Sequence, residues 1–224
     1  MPFTTDADFV NEESYATGLS ESIYQKLSQV SGMSARSIFL KLKKEPTLDE
    51  LAQNYGVNYV LRGQLHVEDD RARIRAELVN TADGKVLWLE NFDENLNNFQ
   101  ALQTSISERV LKALTIELSA SERREIAKNL TENSEAYRLY LVGRYQLTNR
   151  SAASLNKAIK TFEKAKTLDP KFALAYTGAA DAYALLNLYQ VPPPPDAYAK
   201  AKENAQKAVE LDPNLAEAHA SLGY

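Results

Sequence analysis

The chain has 224 residues, 44% hydrophobic and 25% charged, which is long for one compact domain and comfortable for two. Its net charge of −4 comes from 26 basic and 30 acidic residues. Residues 1–130 hold 15 basic against 20 acidic side chains and residues 131–224 hold 11 against 10, so neither part has the basic excess that nucleic-acid binding requires.

From the amino terminus, Met1-Pro2-Phe3 passes at once into Thr4, Thr5, Asp6 and Asp8, which does not read as a signal peptide. Ser14 to Val30 places Leu19, Ile23, Leu27 and Val30 at helical spacing. Ala35 to Leu40 reads as a strand, and Thr47 to Tyr55 as a short helix with Leu48 and Leu51 inward. Tyr59, Leu61, Gly63, Leu65 and Val67 then alternate with Asn58, Arg62, Gln64 and His66. After a tight turn at Asp69-Asp70, Ala72, Ile74, Ala76 and Leu78 oppose Arg71, Arg73, Arg75 and Glu77. Asp83-Gly84 marks a second hairpin before a third strand, Val86 to Phe92. A helix from Phe99 to about Leu118 follows on Leu102, Ile106, Val110, Ala113 and Leu114. This order predicts a small α/β sandwich, a mixed sheet with helices on one face.

Beyond residue 133 the pattern is one of repetition. Ala158 to Pro170 and Ala201 to Pro213 both read A-x-x-x-F/A-x-x-A-x-x-L-D-P, and each leads into another alanine-rich helix, Phe172 to Leu188 and Leu215 onward. Small residues at Ala158, Ala165, Ala201 and Ala208 let paired helices approach, and Phe162 fills the space between them. Asp-Pro stops one helix and pre-sets the first turn of the next. The spacing is similar to the tetratricopeptide (TPR) unit W-x2-L-G-x2-Y…A-x3-F…P. Leu139, Val142, Gly143, Ala158, Phe162, Ala165 and Pro170 match the first repeat. Tyr176, Ala179, Ala180, Tyr183, Ala201, Ala205, Ala208 and Pro213 match the second, and Leu222-Gly223 begins a third. Extra residues fall near Thr148–Ser154 and around Val191-Pro192-Pro193-Pro194-Pro195, where four prolines predict a stiff loop.

The amino-terminal segments Gly56-Val57-Asn58-Tyr59-Val60-Leu61-Arg62-Gly63, Arg73-x-Arg75-x-x-Leu78, Gly84-x-x-Leu87-Trp88 and Phe99-x-x-Leu102-Gln103-x-x-Ile106 resemble the TolB-like amino-terminal domain, related to FlgO. That resemblance implies a domain placed between an effector and a TPR array, the effector being a winged-helix regulator, an adenylate cyclase or a protein kinase. It also implies a hydrophobic first strand ending in Leu-Pro-Phe, of which Met1-Pro2-Phe3 is the tail.

Signals for chemistry are sparse. No Gly-rich phosphate loop occurs, and no cysteine is present for disulfides or thiolate metal sites. His66 and His219 lack metal-ligand spacing, and His66 reads as a solvated residue on a polar strand face. Glu12-Glu13 and Asp93-Glu94 read as solvated pairs in loops. Arg62, Arg71, Arg73 and Arg75 read chiefly as a solubilising strand face, with an acidic partner as the sharper alternative.

These readings predict an α+β chain: a TolB-like domain over residues 1–118, a helical linker over 119–133, and a TPR array over 134–224. The expected function is a non-catalytic interaction, sensor or scaffold module of a bacterial signalling protein. Fragments of an adenylate cyclase or kinase with an upstream catalytic domain, and an envelope or flagellar component, are the alternatives. Motif register puts Tyr137, Tyr140, Arg144, Leu174, Thr177 and Asp181 on the concave wall, where a protein or peptide would bind. No catalytic residue, metal or cofactor is expected, nor nucleic-acid binding or membrane insertion by this segment; a homodimer is allowed. The compartment, periplasm or cytoplasm, would follow from the upstream region.

Overall fold

Residues 59–95 form three ten-residue strands, β1 (Tyr59–Glu68), β2 (Arg71–Asn80) and β3 (Val86–Asn95), ordered β1-β2-β3. The computed structural model describes residues 1–5, 10–37, 46–190 and 192–223. It divides into two compact units, Met1–Asn129 and Leu130–Tyr224.

In the first unit the period-of-two pattern becomes two antiparallel pairings, with Leu65 opposite Ile74 and Ile74 opposite Phe92. Asp69 and Asp70 have φ of 48° and 61°, both left-handed, as two-residue hairpin turns require. The sheet is therefore not the mixed one expected. Ala35 to Ser37 carry no regular structure, and the rest of the strand read over 35–40 lies outside the described residues. Among those residues parallel pairing is confined to a bridge between Thr4 and Gln64, where Thr4 N–H reaches Gly63 O at 3.0 Å and Leu65 N–H reaches Thr4 O at 2.8 Å. This seats Phe3 over Gly63, so closely that a Cβ at position 63 would lie 2.5 Å from the Phe3 ring and 2.3 Å from Arg75 O.

Helices α1 (Val10–Ser28) and α3 (Phe99–Ala113) pack on one another and on the apolar face. They bury Leu19, Ile23, Ile106 and Val110 against Leu65, Ile74 and Leu78. The short helix α2 (Leu48–Tyr55) starts with a capping box between Thr47 and Glu50. Its Leu51 clusters with Val60, whose strand parity is that of the polar face, so one end of that face is covered as well. The α3 helix stops before the expected Leu118. Thr115, at φ 56°, closes it with Ile116 N–H on Leu111 O and its own N–H on Lys112 O, a Schellman pattern without the usual glycine. Helix α4 (Ala120–Ala127), expected in a linker, packs on α1 and α3 and belongs to this unit.

The second unit is helical: α5 (Ser134–Thr148), α6 (Ala152–Leu168), α7 (Ala173–Tyr189), α8 (Ala197–Leu211) and α9 (Ala216–Gly223). Each helix packs on its sequence neighbour; in addition α5 packs on α7, and α7 on α9. The repetition read from the sequence is repeated in the backbone. Asp169 and Asp212 end their helices at φ/ψ of −138°/94° and −140°/93°. Each accepts the N–H of the third residue onward at 3.1 Å, and each carboxylate accepts the N–H of the second, at 2.9 and 3.1 Å. The small-residue positions explain the packing: Ala158, Ala165, Ala205 and Ala208 are fully buried. Phe162 sits in a slot between two helices, where a Cβ on Gly143 would come within 2.6 Å of its ring and one on Gly178 within 2.4 Å.

Candidate functional site

The side-by-side packing of α5, α7 and α9 makes a surface from the first helix of each hairpin, and the six residues expected on its wall divide by burial. Tyr137, Tyr140, Leu174 and Thr177 are buried. Tyr140 packs against Phe162 at 6.2 Å and Phe172 at 5.3 Å between ring centroids, and stacks on Tyr137 at 6.2 Å. Thr177 spends its hydroxyl on Leu174 O at 2.8 Å. This corrects their expected place on an open wall: helical register gives direction, but Phe162 of α6 and Phe172 before α7 pack over Tyr140.

Arg144 and Asp181 remain, with side chains 34% and 35% exposed and 4.0 Å apart. Ser221 of α9 donates to the other oxygen of Asp181 at 2.6 Å. The three form a polar line across the three first helices. Burial raises the Asp181 carboxyl above its ordinary range, and the Ser221 hydrogen bond and Arg144 charge only partly oppose it. Carboxyls perturbed in this way cluster at functional sites, though structural ion pairs perturb them too. Ser221 was not among the residues that helical register placed on the wall.

The first unit holds two concave regions. A cavity of about 490 Å³ lies between α1, α3 and the start of β1, with Phe3, Ile23, Leu78 and Val110 inside and Tyr59 and Arg36 among its lining. Its lining runs to Ser37, next to residues outside the described set. A shallower depression of about 290 Å³ lies on the polar sheet face beside Arg75.

The acids expected in loops lie in α1 and β3, and Glu12 is not solvated. Glu12 lies in α1 and is buried, accepting Val67 N–H at 2.7 Å and the Thr5 hydroxyl at 2.6 Å, with His66 Nδ1 at 3.3 Å. It ties the start of α1 to the end of β1. Asp93 lies in β3 rather than a loop and pairs with Arg71. Among the described residues there is no group of three or more His, Asp or Glu placed to hold a metal, and no helix is long and apolar enough to cross a membrane.

Residues 1–109 match the second domain of HilA/YgeH-like transcriptional regulators. Across 99% of its length the chain is 27% identical to "Putative adenylate cyclase 3" of Rhizobium meliloti, covering 38% of that protein. It is 25% identical over its full length to the transcriptional regulator HilA of Salmonella typhimurium, covering 40% of that protein. The chain thus spans about two fifths of the length of the curated relatives it matches. TolB from Acinetobacter baumannii is similar over 50% of this chain and 27% of that one, at 17% identity and a TM-score of 0.40, a likeness too slight to build on. The match over residues 1–109 is thus to a HilA-like regulator domain, where the sequence motifs had suggested a TolB-like one.

Proposed function

We propose that the chain is a non-catalytic regulatory module of a bacterial signalling protein, whose second unit is a TPR-type array that takes a protein or peptide on the α5–α7–α9 surface. The observation that carries this is the reach of the two matches. Nearly the whole chain is similar, at 27% and 25% identity, to part of one protein named for cyclase activity and to part of another named for transcriptional regulation. A segment common to proteins named for different activities is best read as the part that informs an effector, not as the effector. The repeated Asp169 and Asp212 geometry, the Phe162 slot and the first-helix contacts support a TPR-type stack. Arg144, Asp181 and Ser221 supply the polar contacts such a surface would offer.

Calorimetry of the full chain against ATP, GTP and cyclic AMP tests the non-catalytic part. The reading predicts no saturable heat with any of the three. A micromolar, saturable isotherm with one of them would assign nucleotide chemistry to the chain and overturn it.

A further inference from the structure

The four arginines of the polar sheet face are not equivalent. Arg62 is held by Glu77 at 2.6 Å and Arg71 by Asp93 at 2.7 Å. Arg73 lies 2.8 Å from Glu68 and 3.7 Å from Asp93. Arg75, at the middle of the central strand, is exposed and has no ion pair or side-chain hydrogen bond among the described residues. Its cross-strand neighbours are Gln64 and Asn91, both neutral. The rows on either side, Arg62-Glu77-Leu89 and His66-Arg73-Asp93, each contain their own acid.

The depression of about 290 Å³ opens beside this guanidinium, bounded by Pro2, Thr4, Arg62, Gln64, Arg75 and Glu77. The Thr4–Gln64 bridge places Thr4 on its rim. Arg62 already engages Glu77 at 2.6 Å, so the rim acid is neutralised and Arg75 is left as the cation not matched by an acid.

We propose that this depression binds a single carboxylate, presented by an acidic side chain of a partner protein, with Arg75 as anchor and the Gln64 amide as flanking donor. A guanidinium offers a planar fork suited to a carboxylate, and the contact is charge-assisted. The flanking rows set the ligand's charge. A singly charged group meets one unmatched cation, whereas a phosphate or nucleic-acid backbone would also meet Glu68, Glu77 and Asp93. The exposed Leu89, on the Glu77 row, suits a protein surface, which brings apolar contact along with its charge. The site lies in the first unit and is independent of the α5–α7–α9 surface.

The test is amide and side-chain NMR of the full chain, labelled with ¹⁵N. It is titrated to roughly 20 mM, a range that captures millimolar contacts. The probes are an acetylated, amidated Gly-Glu-Leu-Gly peptide, its Gly-Gln-Leu-Gly counterpart, and inorganic phosphate. The expected result is a saturable shift at the Gln64 side-chain amide and the Gly63 backbone with the glutamate peptide alone. Arg75→Gln, with a spectrum otherwise unchanged, should weaken it about tenfold or more, the size of a lost charge-assisted contact. Arg73→Gln, which removes an arginine already paired, should leave it intact. Equal shifts from the glutamine peptide, binding of phosphate as tight as that of the glutamate peptide, unchanged binding by Arg75→Gln, or no saturable shift would each overturn the proposal.

Discussion

The two units place polar chemistry in opposite ways. In the first, alternation along β2 puts Arg71, Arg73 and Arg75 in water, with Glu77 half-buried and Val79 buried at the far end of the same face. In the second, helices brought close by alanine and glycine bury four of the six residues that register places on the shared surface, and Arg144 and Asp181 remain, joined by Ser221. Much of a strand face can be read from spacing, the end covered by α2 excepted. A helix face cannot, because exposure depends on how near the next helix comes.

Removing a ring should have the largest effect. Phe162 fills the slot between Gly143 and Gly178, so Phe162→Ala should cost about 3–5 kcal/mol. Segment-resolved hydrogen exchange should show lost protection through residues 134–211 and little change in β1–β3. Uniform loss in both units would break the comparison. The converse change in the sheet is Gly63→Ala, where a methyl meets Phe3 and Arg75 O. It should cost about 1–3 kcal/mol or more, with the loss confined to the first unit.

Next in size is a pH effect in the first unit. Lys26 donates to Ile126 O at 2.5 Å at the end of α4, and burial lowers its pKa from 10.5 to about 8 despite Glu108 nearby. Between about pH 8 and 10.5 the unfolded chain holds a proton that the folded chain has released, so stability rises with pH across that window. Denaturation midpoints for Lys26→Met should lose that rise. The smallest effect is at Asp181, whose carboxyl is raised by burial. Asp181→Asn should slightly raise the melting temperature at pH 7, with the gain shrinking as acid protonates the wild-type side chain. A clear loss at pH 7 would make Asp181 a structural residue.

Much of the fold was legible, for physical reasons that differ by element. The meander was visible because Ala72, Ile74, Ala76 and Leu78 are each buried beside an exposed arginine or a half-buried Glu77. The hairpin repeats were visible because Leu-Asp-Pro recurs and forces the same backbone twice. The end of α3 was hidden because a threonine, not a glycine, takes the left-handed position. The place of Glu12 was hidden because its partners, Thr5 and Val67, are brought to it by the bridge along β1. Of the candidate wall, Arg144 and Asp181 were legible as charges on helices. The burial of Tyr137 and Tyr140 was not, since it depends on Phe162 and Phe172 arriving from other segments.

The central claim is that the α5–α7–α9 surface recruits a protein through its polar line and not through the tyrosines beneath it. Quantitative capture from a lysate of the source bacterium tests it, with wild type, Arg144→Ala/Asp181→Ala and Tyr140→Ala compared alongside their melting curves. The account predicts that the double variant melts like wild type and loses at least one protein that wild type binds saturably. Tyr140→Ala should instead melt early, as a buried ring removed from the core must. A stably folded double variant that retains every wild-type partner would contradict the account.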